Sequence, residues 1–224
     1  MICPKCGHAV SAGIAFCGDC GATIPDTKPE PASPGERFNN LAENVWKTFL
    51  AVFENPVDNL SPNFEKLKKQ EVLEVGIAFA ILFDLCAFFG LYIMLPRWAG
   101  APGFGDILKI LIFGFVPPAA FTGASFLARK VFRAASGTIE SDVFIAGISL
   151  IPTGILLLLS GILGIGNLEI IALVAVFALS YTILILFTGC TRISEIAQVR
   201  AVPAVPSIIL ISAFLSKIVY AAIL

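Results

Sequence analysis

The chain has 224 residues, a formal net charge of −1, 57% hydrophobic side chains and 14% charged ones. A mean hydropathy of +0.90 leaves too little polar surface for a water-soluble domain, so the composition excludes an ordinary soluble enzyme and points to a lipid bilayer. The near-zero charge also excludes nucleic-acid binding by the whole molecule, because phosphate contacts need a surplus of Lys and Arg.

Residues 1–24 carry Cys3, Cys6, Cys17 and Cys20 as two C-x-x-C turns, CPKC and CGDC, separated by ten residues. Each turn brings two thiolates to one ion at about 2.3 Å, and Gly7 and Gly21 allow backbone amides to turn toward the sulfurs. Two such turns complete a tetrahedral four-cysteine shell. The expectation is a zinc ribbon with structural Zn2+ and no open coordination position for catalysis. So short a segment has almost no core, with Ile2, Val10, Ile14, Phe16 and Ile24 as candidates, and bound metal would supply most of its folding free energy. The competing reading, a pair of disulfides, needs an oxidising compartment. His8 follows the first turn too closely to replace a cysteine. Through Pro25 the only side-chain charges are Lys5 and Asp19, and Phe16 is the only aromatic residue. The ribbon therefore lacks a nucleic-acid footprint and fits a protein contact or a rigid cap better. No continuous apolar core opens the chain, so no cleavable signal peptide is expected.

Residues 25–36, PDTKPEPASPGE, hold four prolines and read as an extended, semi-rigid linker. From Arg37 to Phe53, Phe38, Leu41, Val45, Phe49 and Val52 recur at helical spacing, with Trp46 and Phe53 beside them. This amphipathic helix either lies in the headgroup layer or packs against the end of a membrane bundle. Asn55-Pro56 stops it. Ser61-Pro62 resembles the cap and first residue of a further helix running through Phe64 and Leu67 into the membrane. Residues 37–70 thus form an amphipathic and juxtamembrane section, with Lys66, Lys68 and Lys69 at headgroup depth as positive-inside anchors or anionic-lipid contacts.

Residues 71–224 contain five apolar runs: Val72 to Leu95, Ile107 to Ala128, Val143 to Leu163, Leu168 to Cys190 and Ala204 to Leu224. Each approaches the ~20 residues that span a ~30 Å hydrocarbon core, and none alternates with period two. The predicted fold class is an all-α polytopic membrane protein of five transmembrane helices behind a small amino-terminal zinc ribbon. Cys86 and Cys190 lie alone in apolar surroundings and read as packing residues. Lys5, Lys28, Arg37, Lys47, Lys66, Lys68, Lys69, Arg129, Lys130, Arg133, Arg192 and Arg200 all fall on one side, against Arg97 on the other. That asymmetry places the amino terminus in the cytoplasm and the carboxyl terminus outside, which puts the cysteines in a reducing compartment and favours zinc over disulfides.

Two charges lie within the runs. At ~1.5 Å per residue, Asp84 is roughly 16 Å and Lys217 roughly 10 Å below the outer surface, a gap the lysine stem can bridge. Pro117 and Pro118 remove the amides that would bond the carbonyls of Phe113 and Gly114. The expectation is an internal polar cluster of Asp84, Lys217, Phe113 and Gly114; its bland counterpart is a kinked helix whose charges only specify helix pairing. Gly147, Gly154 and Gly161 recur every seven residues and mark a close helix contact. GFGDILKIL at 103–111 is similar to the GxGD element of intramembrane aspartyl peptidases, but Asp106 falls at the outer interface, away from Asp84, and the two cannot share a proton. With His8 as the only histidine, no catalytic residue is assigned and no enzyme is expected.

From Asn55 onward the layout resembles the Yip family, five-span membrane proteins that interact with Rab-type GTPases. The carrying stretches are NPVDNLSPNFEKL before the first run, GTIESDVFIAGISLIP opening the third, and FTGCTRISEIAQVRAVPAV before the last. The D-L-Y-G-P signature of eukaryotic members has no match, so the resemblance implies a prokaryotic-type relative. The first 24 residues resemble the zinc ribbons prefixed to many bacterial membrane proteins. Together these imply a non-enzymatic scaffold in the cell membrane, with the bilayer and a protein docked on the ribbon as partners; a homo-oligomer is a further partner the sequence leaves open. The alternative is a small transporter, channel or lipid-moving protein using Asp84 and Lys217.

Overall fold

A computed structural model describes residues 3, 5–9, 16–22, 33–94, 103–164 and 167–223. The chain divides into two compact units, Met1–Asn40 and Leu41–Leu224. The expected linker over residues 25–36 and the core candidates Ile2, Val10, Ile14 and Ile24 lie largely or wholly outside the described residues.

Helix α1 spans Pro34–Glu54 and starts earlier than its apolar pattern does. Ser33 and Glu36 explain the start: the Ser33 amide donates to the Glu36 carboxylate at 2.8 Å and the Glu36 amide donates to the Ser33 hydroxyl at 3.3 Å, a reciprocal cap. Val52 is buried, and Leu41, Val45, Phe49 and Phe53 pack against the main core. Tyr181 donates its hydroxyl hydrogen to the Phe53 carbonyl at 2.9 Å, and the Phe49, Phe53, Tyr181 and Phe177 rings follow one another in contact. Of the two placements open to this helix, its carboxyl-terminal half takes the one against the bundle. Trp46 and Leu50 remain exposed on its flank.

Helix α2, Pro56–Lys66, begins at Asn55-Pro56 and not at Ser61-Pro62. The Asn55 side chain accepts from the amides of Val57 and Asp58, both at 3.1 Å, and Pro56 takes a first-turn position where its missing amide costs nothing. Pro62 is interior. The helix buries Leu60 and sets Phe64 edge-on against Phe144 at 5.5 Å. Leu67 and Lys68 break it from α3, Lys69–Met94.

Five stretches are long and apolar enough to cross a membrane: Lys69–Met94, Ile107–Val131, Ile139–Leu163, Leu168–Ile193 and Gln198–Ala222. The protein is thus a multi-pass membrane protein, all-α apart from isolated bridge residues in the amino-terminal unit. The second stretch is interrupted: α4, Phe104–Gly114, and α5, Val116–Val131, meet at Phe115, with Pro117 and Pro118 in the first turn of α5. The third is α6, Ile139–Leu163. The fourth is α7, Leu168–Thr188, followed by a π-helical turn, Gly189–Ile193, and the fifth is α8, Gln198–Ile223, which starts six residues before the apolar run does.

Helix α6 is the most enclosed of the five, and α3 is its principal neighbour. The two run parallel in a register that recurs every seven residues, with Gly76 beside Gly147, Phe83 beside Gly154 and Gly90 beside Gly161. A side chain on Gly147 or Gly161 would overlap the carbonyl of Gly76 or Gly90, and one on Gly76 would meet the Phe144 backbone at 2.8 Å. Backbone-to-backbone contact of this kind is available only to glycine.

At the end of the bundle where α6 begins, the α5–α6 and α7–α8 connections are tied together. Thr138 and Ser141 cap α6 reciprocally, and the Ser136 hydroxyl donates to the Ile193 carbonyl at 3.0 Å. Gly189 leaves room for Ile145, which a Cβ there would meet at 2.9 Å. Glu195 adopts a left-handed φ of 52°, which lets the Ile196 amide return to the Cys190 carbonyl at 2.8 Å.

Replacing Gly161 by alanine should destabilise the bundle by about 1–3 kcal/mol, because the added methyl must separate two backbones. Gly123 on α5 has nothing within 4 Å of a built Cβ. The same change there should be neutral when detergent unfolding of the two variants is compared; equal losses would contradict the seam.

Candidate metal centre and intramembrane polar site

Two backbone turns shape the cysteine cluster. The Cys3 amide donates to the His8 carbonyl and the Gly7 amide to the Cys3 carbonyl, both at 2.9 Å; Cys17, Ala22 and Gly21 repeat the pattern at the same distance. Gly7 and Gly21 sit at φ values of 75° and 65°, the left-handed region that lets each turn fold its amides over the sulfurs. The four Sγ atoms lie within 4.8 Å of one another. Cys3 and Cys20 approach to 3.7 Å and Cys6 and Cys17 to 3.6 Å. A tetrahedron with ~2.3 Å metal–sulfur bonds has edges of about 3.8 Å, so the cluster has the size of a four-thiolate shell.

Amides of Lys5 and Cys6 directed at the Cys3 sulfur hold its thiol down at about 6. The His8 amide favours the Cys6 thiolate as well, yet crowding by the Cys20, Cys3 and Cys17 thiols, with desolvation, outweighs it and pushes Cys6 up to about 12. Four mutually repelling thiolates cannot ionise together without a cation among them, and a soft divalent ion supplies that charge. Cys3 and Cys17 are buried with Ala22 against them. His8 is exposed and stands outside the group. Phe16, expected in the core, is 61% exposed.

Within the spans, Asp84 is buried among the helices, and its Oδ1 lies where a Gly114 side chain would be. The carbonyl of Phe113, freed by Pro117, accepts from the Tyr220 hydroxyl on α8 at 3.1 Å. Asp84, Phe113 and Gly114 therefore meet at the break between α4 and α5. Lys217 is exposed on α8, and among the described residues no ion pair joins it to Asp84. Tyr220, three residues further along α8, is the group that reaches the break; its hydroxyl offers a donor without a buried charge, a signal that a search for charges passes over.

A second polar contact was equally hidden. Arg129 at the end of α5 makes a forked contact with Asp142 on α6, Nη2 to Oδ2 at 2.8 Å and Nε to the two oxygens at 3.2 and 3.3 Å, while Nη1 donates to the Gly137 carbonyl at 3.0 Å. Asp142 is buried and Arg129 nearly so. In the sequence both look like loop and helix-start charges, since their separation gives no periodic sign of a pair.

No family model matches the chain, and neither a curated protein nor a solved structure is significantly similar to it.

Purified protein should carry one metal ion per chain by elemental analysis, and each of Cys3→Ser, Cys6→Ser, Cys17→Ser and Cys20→Ser should lose most of it. Acidification should release the ion, because protonation removes the ligand form of each sulfur. Retention of full metal in two of the four variants would contradict the shell. Arg129→Met should cost about 3–5 kcal/mol by stranding Asp142, and Arg129→Met with Asp142→Leu should recover much of that loss in unfolding measurements.

Proposed function

We propose that this protein is a non-enzymatic membrane scaffold of Yip type whose amino-terminal zinc ribbon is a cytoplasmic docking module. The observation that carries the reading is the four-cysteine cluster, set in a compact unit of its own ahead of the bundle. Zinc fits the donor set best among common ions, because four thiolates select a soft tetrahedral metal and close every coordination position. Such a shell stabilises a small surface without offering chemistry. That surface exposes Phe16, an aromatic side chain of the kind that anchors protein contacts.

Lys66, Lys68, Arg133, Arg192 and Arg200 lie at or beside the α2–α3, α5–α6 and α7–α8 connections, which share one side of a five-span chain. The positive-inside rule makes that side cytoplasmic, so the ribbon faces reduced solvent and its thiols remain ligands. The Yip reading rests on the three stretches named above. In the fold, segments from all of them pack at one end of the bundle: Phe64 on Phe144 and Ile145 on Gly189. The transport alternative rests on Asp84, Lys217 and the broken second span; Asp84 lies against Gly114 at that break, while Lys217 is exposed and does not pair with it among the described residues.

Affinity capture from membranes distinguishes the two. Tagged protein should retain a defined partner that falls to background in Cys3→Ser/Cys6→Ser while the bundle unfolds at an unchanged detergent concentration. An identical partner set from both proteins, together with Asp84-dependent flux of ions or labelled lipid in vesicles, would instead favour transport.

A further inference from the structure

Asp84 is 3% exposed, and its Oδ1 has no hydrogen-bond partner. A carboxylate left so in hydrocarbon is among the costliest groups a membrane helix can carry, and it needs a counter-charge or a proton. The cations of nearby segments do not supply one: Lys109 on α4 and Lys217 on α8 are both exposed, and neither pairs with Asp84 among the described residues.

Gly114, against which Oδ1 rests, is the last residue of α4, so the carboxyl lies beside the carboxyl-terminal end of a half-helix, where the last carbonyls lack helical donors. Pro117 and Pro118 cannot return an amide to the carbonyls of Phe113 and Gly114. Tyr220 answers the Phe113 carbonyl at 3.1 Å. The Gly114 carbonyl has lost its helical donor to Pro118. The same two prolines leave the first turn of α5 without two of its amide donors.

We propose that Asp84 and the backbone oxygens at the α4–α5 break form an intramembrane binding site for a small monovalent cation. A single carboxylate balances a single positive charge, whereas a divalent ion would leave net charge in hydrocarbon and would demand more oxygen ligands than this break presents. Broken helices whose terminal carbonyls meet a carboxylate are the arrangement by which membrane proteins hold such ions. A largely apolar cavity of about 320 Å³, lined by Phe83, Phe113, Gly114, Pro117, Leu157 and Tyr220, lies against the break, so the side chains there are not closely packed over Gly114. The site is independent of docking by the ribbon. It would lock α4 to α5 and both to α3 in any function the bundle serves.

The test uses the full chain in lipid nanodiscs, melted in NaCl, LiCl or KCl against choline chloride at constant ionic strength. At least one of the three small cations should raise the melting temperature by a few degrees in a saturable way, and Asp84→Asn should abolish the rise. Pro118→Ala keeps the carboxylate but restores an amide to the Gly114 carbonyl, and it should raise the half-saturating salt concentration several-fold. Coincidence of all three salts with choline would overturn the site and leave the carboxyl neutralised by a proton. A rise that persists in Asp84→Asn, or a half-saturation point unchanged in Pro118→Ala, would also overturn it, and the second of these decides the matter if Asp84→Asn fails to assemble.

Discussion

The approach of two glycine-lined backbones, α3 and α6, is the contact on which the rest of the bundle depends. Lipid tails are as apolar as the side chains they surround, so burial of leucine and isoleucine does not by itself hold membrane helices together. Close packing does. Gly76, Gly90, Gly147 and Gly161 bring main chain against main chain, and the seven-residue recurrence keeps both helices in contact across the whole span. Because Phe83 fills the middle of that seam opposite Gly154, its neighbour Asp84 is turned aside from α6 toward Gly114. The seam thus determines which helix receives the buried carboxyl.

Away from the seam, polar groups hold the remaining spans. Tyr220 joins α8 to the broken second span, Thr182 joins α7 to the Ser149 carbonyl of α6 at 2.9 Å, and Arg129 joins α5 to Asp142 of α6. Each ties a donor on one helix to an acceptor on another. In hydrocarbon, where water cannot compete, such links specify partners more than they add stability. The amino-terminal unit follows a different principle: among its described residues the buried cluster is Cys3 and Cys17 with Cys20 and Ala22 against it, and its four sulfurs are spaced to hold one ion.

Features set by composition or by short spacing were legible in the chain. Five runs of apolar residues, the paired C-x-x-C turns and the α6 glycines all express a local rule, and the fold carries each of them. Features set by long-range geometry were not. One local signal also misled: Ser61-Pro62 looks like a helix start, yet Asn55 six residues earlier is the better cap, because its side chain reaches two free amides and Pro56 follows it. Lys217 attracts notice as a charge in an apolar run, while Tyr220 beside it hides among aromatic residues that usually face lipid. The Arg129–Asp142 fork depends on how two spans pack, which no window of sequence contains.

The register of α3 against α6 is testable without perturbing either helix. In protein labelled with carbon-13 at glycine and embedded in lipid, solid-state NMR correlation spectra should show through-space cross-peaks between the Gly76 carbonyl and the Gly147 α-carbon, and between the Gly90 carbonyl and the Gly161 α-carbon. Absence of both, or cross-peaks pairing Gly76 with Gly154 or Gly90 with Gly147, would contradict the seam and the placement of Asp84 that follows from it.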